Sequence, residues 1–75
     1  FNQSTVLRFG VPSASHVRIS LFDILGREQR VAVDEVLPAG WHEVLLEMGV
    51  LPLGTYFQLM QAGGTISTRS LALVR

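Results

Sequence analysis

The sequence predicts an all-β domain, an antiparallel sandwich or barrel, on three observations. Apolar and polar residues alternate with a period of two in most of the apolar runs, as they do in strands with one buried face. Clusters of Gly, Pro, Asp and Ser separate these runs at regular spacing. No run sustains the 3.6-residue spacing of apolar residues that an amphipathic helix requires. Repeated short strands with turns between them are typical of antiparallel all-β folds.

Six runs are predicted to be strands. The run at residues 55–61 (TYFQLMQ) is apolar on both faces, which predicts a central strand. In the last run, Leu71 and Leu73 lie on one face, and Ala72 and Val74 lie on the other. The predicted strands cover residues 5–11, 17–22, 31–33, 42–47, 55–61 and 65–74.

Turn chemistry is specific at several of the connections. Residues 23–26 (DILG) predict a tight turn in which Asp23 accepts hydrogen bonds from the backbone and Gly26 adopts a positive φ. The other predicted turn residues are Pro38 and Gly40, Pro52 and Gly54 in two L-P-x-G turns, and Gly63 and Gly64 in a two-residue hairpin connection of the primed type.

Composition predicts one domain, residues 1–75, with an apolar surplus. The chain has 75 residues, no Cys and two His, so neither disulfides nor a Cys-based metal site can reinforce a thin core. Hydrophobic residues make up 48% of the sequence and charged residues only 16%, below the usual quarter. This surplus needs either a dense core or a surface that meets a partner.

The charge distribution argues against two classes of partner. Six acidic residues balance six Arg, and the Arg residues are scattered along the chain. Nucleic-acid binding needs a concentrated basic surface, so we expect none. No run approaches the 18 or more apolar residues of a membrane-spanning helix, so we do not expect a transmembrane protein.

We expect no catalysis, no metal, no cofactor and no small-molecule substrate. A nucleophile–His–acid set would need His16 or His42, and no G-x-S-x-G elbow accompanies either. His42 and Glu43 are neighbours on a strand, so their side chains point to opposite faces. Trp41 and Tyr56 could form a ligand platform, but burial is the commoner fate of aromatic residues in a small sandwich.

The order of these motifs resembles the C-terminal sorting domain of the type IX secretion system (type A, Por secretion family). The motifs are FNQST at 1–5, DILGRE at 23–28, LPAGWHEV at 37–44, LPLGTYF at 51–57, and an ending from Gly63 to a basic residue at Arg75. The sequence departs from the family pattern at Gln3, where Pro is frequent, and at Ser70, where Lys is common. That family is related in shape to the immunoglobulin-like domain of flagellar hook-capping proteins. The resemblance therefore implies an immunoglobulin-like β-sandwich of six to seven strands.

The resemblance also implies a function in protein recognition. A sorting domain is non-catalytic and directs a secreted protein through the periplasm and the outer-membrane machinery to the cell surface or outside. A sortase-like enzyme of that machinery commonly removes it or exchanges it for a surface anchor. Because a partner protein could bind the last strand without unfolding the core, we expect the partner contacts on that strand. The candidate residues are Arg69, Leu71, Leu73, Val74 and Arg75.

Two alternatives stay open. Zero net charge, high hydrophobicity and open sheet edges also fit a self-associating structural subunit of an extracellular filament, with sibling copies as the partner. The other alternative is an accessory binding module of a secreted enzyme.

Overall fold

The structure, a computed structural model, describes residues 3–49 and 51–73, and these residues form six strands. The all-β prediction is therefore confirmed. Run 55–61 lies within a strand that has neighbours on both sides, so its prediction as a central strand is also confirmed. The strands are β1 (Gln3–Val11), β2 (Ser15–Phe22), β3 (Glu28–Leu37), β4 (Gly40–Gly49), β5 (Gly54–Ala62) and β6 (Thr65–Leu73).

The strands form two antiparallel sheets of unequal width. One sheet contains only β1 and β4, and the other has the order β3-β2-β5-β6. The two sheets pack face to face as a small sandwich around one apolar core. Because a two-stranded sheet is about half as wide as a four-stranded one, it covers only part of the inner face of its partner.

The core follows the period-two pattern of the sequence. Val17, Ile19 and Leu21 point inward from β2 and are almost completely shielded from solvent. Leu7, Phe9 and Val11 of β1 face them from the other sheet. The other buried apolar residues are Val33, Leu46, Met48, Leu51, Tyr56 and Leu73.

The strand predicted in the region of β3 was too short. The sequence indicated a strand only at residues 31–33, whereas β3 runs from Glu28 to Leu37. The pairing of β2 with β3 shifts register between Ile19 and Ser20 and again between Leu21 and Phe22. Each shift leaves one residue of β3 outside the pairing, as in a β-bulge, and so interrupts the alternation. Because apolar residues do not alternate regularly along β3 and because Asp34 and Glu35 are adjacent, the sequence pattern indicated only a short part of the strand.

The connections lie where turn chemistry indicated them. Gly26 has a φ of 80°, as predicted, in the turn between β2 and β3. Gly63 and Gly64 have φ values of 53° and 88°, the two positive angles of a type I′ turn between β5 and β6. Pro38 lies between β3 and β4, and Pro52 between β4 and β5, and Gly40 and Gly54 are the first residues of the strands that follow.

Candidate partner-binding site

An open groove runs between β1 and β6, on one side of the sandwich. On the other side β3 and β4 approach each other across the two sheets. The groove has a volume of about 260 Å³ and is lined by residues of β1, β5 and β6. It exists because the narrow sheet does not extend over β6.

The walls of the groove are strand edges. Residues 5–9 of β1 line it consecutively, and so do Ser67, Thr68 and Arg69 of β6. Consecutive residues of a strand point to opposite faces, so a cavity that touches all of them lies at the edge of the strand. Within the described residues, β1 pairs only with β4, and β6 pairs only with β5. Each wall therefore carries unpaired backbone N–H and C=O groups that another strand could bind.

The floor of the groove changes from apolar to polar along β6. Leu71 and Met60 are partly buried and pack against the core. Ser67 and Arg69 lie on the same face of β6 as Leu71, but both are exposed. The polar residues occupy the part of the inner face that the two-stranded sheet leaves uncovered.

The structure separates the five predicted contact residues. Arg69 and Leu71 line the groove together. Leu73 is 3% exposed and packs in the core, so Arg69 and Leu71 are accessible from the groove and Leu73 is not. Val74 and Arg75 lie outside the described residues.

Sequence reasoning missed the residues of β1 and β5 in the groove. A signal was nevertheless present in β6, where Ser67 and Arg69 share the face of the buried residue Leu73. Polar residues at inward-facing positions of a strand indicate that the opposite sheet does not reach them. Thr5 and Gln58 carry the same signal, because each is a polar residue on the inward face of its strand. The sequence alone does not show that they border one groove, because that depends on which strands are neighbours in space.

The outer face of the four-stranded sheet carries an apolar row. Phe57 of β5 pairs with Phe22 of β2, and Leu59 pairs with Ser20. Phe57 is 38% exposed and Val31, opposite Ser20 on β3, is 45% exposed. The outward residues of β5 are thus Phe57 and Leu59, whereas Tyr56 and Met60 point toward the core.

A network of charged side chains borders this row. Arg18 lies 2.7 Å from Glu28 and 3.6 Å from Asp34, and the hydrogen bond with Glu28 raises the pKa of Arg18. His16 Nε2 lies 2.6 Å from Asp34 Oδ1. Arg18 also donates a hydrogen bond of 3.4 Å to the hydroxyl of Ser20. The contacts with Glu28 and Asp34 link β2 to β3 across the outer face.

The two aromatic residues singled out in the sequence have opposite fates. Tyr56 is buried, as expected, and its hydroxyl donates a hydrogen bond to the carbonyl oxygen of Pro52. The expectation of burial was wrong for Trp41, which is 78% exposed. Trp41 and Glu43 lie on the outward face of β4, opposite to the inward Leu46, because side chains alternate along the strand.

The histidines lie in different sheets and make structural contacts. His42 Nε2 donates to the carbonyl oxygen of Pro38 at 2.8 Å, and its ring stacks on Phe9 with centroids 5.8 Å apart. Glu43 points the other way and pairs with Arg8 at 2.9 Å, as the alternation predicted. Among residues 3–49 and 51–73, no three His, Cys, Asp or Glu side chains lie close enough together to hold a metal ion.

Comparison with known proteins adds no relative. No family model, no curated protein and no solved structure matches the chain. In the part of the chain that the structure describes, no helix has the length and apolar character needed to cross a membrane. The fold and the surfaces of the domain are therefore the basis for a functional proposal.

Proposed function

We propose that this chain is a non-catalytic recognition domain that directs a secreted protein through the type IX secretion system. The partner would be a protein of the outer-membrane machinery, and its contact with the domain would be the groove between β1 and β6. The observation that carries the proposal is the position of Arg69 and Leu71 in a groove with two open strand edges. Both residues belong to β6, the strand where the resemblance to sorting domains leads us to expect recognition.

Strand addition is the binding mode that fits this groove. An extended partner segment could pair with the free edge of β1 or β6 through main-chain hydrogen bonds. Five residues of β1 line the groove, which corresponds to about 17 Å of strand. Alternate side chains of the partner segment would face Met60 and Leu71 on the floor. The core of the domain stays closed during such a contact.

A pair of substitutions on β6 tests the proposal. Ser67 lines the groove, whereas Ser70 points to the opposite face of the same strand, and both are exposed. The domain is fused to the C-terminus of a reporter in a bacterium that has the type IX system. We expect Ser67→Glu to retain the reporter in the periplasm, because a buried carboxylate would disfavour strand docking. Ser70→Glu should be delivered to the surface like the parent.

Two results would contradict the proposal, and one control is needed. Failure of the parent fusion to leave the periplasm contradicts the sorting function. Delivery of both variants like the parent contradicts recognition in the groove. Circular dichroism of both purified variants must show the fold of the parent, which separates recognition from stability. These point substitutions are cleaner than deleting residues 71–75, because that deletion also removes Leu73 from the core.

A second candidate function is a self-associating subunit of an extracellular filament. It is favoured by the apolar row of Phe57, Phe22 and Val31 on the outer face of the four-stranded sheet. A repeated contact between different faces of identical copies produces an open polymer when the rotation between neighbouring copies does not close a ring. Light scattering on the purified chain tests this candidate. Large polymers favour the filament subunit, and a monomer at all concentrations contradicts it.

A further inference from the structure

The outward face of the β1–β4 sheet presents a tryptophan ring that rests on a glycine. Trp41 and Gly10 are directly opposite each other in the pairing of β1 with β4. Three neighbouring atoms of the Trp41 ring, Cζ3, Cη2 and Cε3, lie 3.5, 3.6 and 3.7 Å from the position that a Cβ on Gly10 would occupy. Such nearly equal distances place the six-membered ring over Gly10. Since Trp41 is 78% exposed, the other side of the ring is open to solvent.

An exposed ion pair occupies the next row of the same face. Arg8 Nη2 lies 2.9 Å from Glu43 Oε2, and the side chains are 70% and 57% exposed. Two residues along a strand separate this row from Trp41, a distance of about 7 Å. A shallow cavity of about 530 Å³ is lined by Arg8, Trp41 and Glu43. An aromatic surface and a set of polar groups therefore border one small space.

We propose that Trp41, Arg8 and Glu43 form a binding site for a neutral carbohydrate. One face of a hexopyranose ring presents C–H groups, which pack well on an open aromatic ring such as that of Trp41. The ring hydroxyls both donate and accept hydrogen bonds. The guanidinium of Arg8 supplies five N–H donors and the carboxylate of Glu43 supplies acceptors, so the pair can bind neighbouring hydroxyls of one sugar.

The charges and the size of the face favour this ligand over others. Arg8 and Glu43 neutralise each other, so the site gives no advantage to an anionic or a cationic ligand. The face is two strands wide and about 30 Å long, which corresponds to roughly 300 Å². A standard protein–protein interface needs about 800 Å² from each partner. A single sugar unit on Trp41 fits this area better than a protein does.

Intrinsic fluorescence gives a direct test, because Trp41 is the only tryptophan of the chain. The purified chain is titrated with cellohexaose, hexa-N-acetylchitohexaose and maltohexaose, three neutral hexasaccharides. We expect a saturable change in the emission of Trp41 with at least one of them, with a Kd of about 1 mM or below. Calorimetry should show that Trp41→Ala abolishes binding. Arg8→Ala and Glu43→Gln should each weaken it about tenfold, the loss of one or two hydrogen bonds.

Leu45→Ala is the matched control. Leu45 is exposed on the same face and the same strand as Trp41 and Glu43, but it does not line the cavity. This variant should bind the sugar like the parent. Equal weakening by Leu45→Ala would contradict a site confined to the three residues.

Two other results would overturn the proposal. One is the absence of a saturable emission change with all three hexasaccharides. The other is an emission change that depends on protein concentration without sugar, because Trp41 would then be covered by a second copy of the chain. The titration needs no secretion machinery, so its result does not depend on the proposed sorting function.

Discussion

Asp23 and Arg27 are joined by three hydrogen bonds that close the turn between β2 and β3. The backbone N–H of Asp23 donates to the carbonyl oxygen of Arg27 at 3.0 Å. The backbone N–H of Arg27 donates to Asp23 Oδ1 and its Nε donates to Asp23 Oδ2, both at 2.9 Å. Leu25 and Gln29 donate two further bonds to the same carboxylate. One side chain thus organises the whole turn.

This arrangement predicts a pH-dependent contribution of Asp23 to stability. The hydrogen bond from the backbone of Arg27 is the main reason why the pKa of Asp23 lies below its ordinary value of 3.8. A lowered pKa in the folded state stabilises the fold above the ordinary value, and the stabilisation is lost as the pH falls through the folded value. Asp23→Asn should therefore lower the melting temperature at neutral pH.

The difference between Asp23→Asn and the parent should shrink as the pH falls below about 4. Melting followed by circular dichroism at several pH values measures it. A difference that stays constant down to pH values near 2 would mean that the charge of Asp23 does not matter. The turn would then depend on the shape of the side chain alone.

Gly26 in the same turn has a φ of 80°, and apart from its two chain neighbours no described residue has a heavy atom within 4 Å of the position of a Cβ. Substitution there is costly because of the backbone angle and not because of space. We expect Gly26→Val to destabilise the domain by about 1 kcal/mol or more. Gly26→Asn should cost less, because Asn tolerates a positive φ. Equal melting temperatures for Gly26→Val and the parent would contradict this account.

Met60 and Leu59 are adjacent on β5 but face opposite ways. Met60 packs against the core, whereas Leu59 lies on the outer apolar row. Met60→Glu should destabilise the domain by about 1–3 kcal/mol, because it removes apolar packing against the core, although the carboxylate would reach the open groove. Leu59→Glu should cost about 1 kcal/mol or less and should abolish association through the outer face. Denaturant unfolding measures the first effect and light scattering the second.

If both variants are as stable as the parent and associate like it, the outer row is not a contact surface. If Leu59→Glu unfolds the domain as much as Met60→Glu does, the outer row supports the fold itself. Either result removes the observation that favours a filament subunit.

The hydroxyl of Tyr56 fixes the connection between β4 and β5 through the carbonyl oxygen of Pro52. Tyr56→Phe keeps the buried ring and removes only this hydrogen bond. We expect a loss of about 1 kcal/mol, which corresponds to a fall in melting temperature of about 4–8 °C for a domain of this size. An unchanged melting temperature would show that water replaces the Tyr56 hydroxyl at no cost.

Local patterns in the sequence were enough to predict six strands, the central position of β5 and the positive φ of Gly26. These features depend on alternation and turn chemistry, which act over a few neighbouring residues. The length of β3 was underestimated, because its two register shifts are defined only by its pairing with β2. Burial was predicted for both Tyr56 and Trp41. In the structure Tyr56 lies on the inward face of its sheet and Trp41 lies on the outward face, so only Tyr56 is buried.

Alternation and turn residues were sufficient to predict the fold class, six of the six to seven expected strands, and the chemistry of the main turns. Only the tertiary structure decided that β1 pairs with β4, so that Arg8 meets Glu43 across 35 positions of sequence. The same pairing makes one sheet two strands wide and opens the groove at Arg69 and Leu71. Such contacts depend on which distant strands become neighbours, and that outcome reflects the packing of the whole core rather than any local preference.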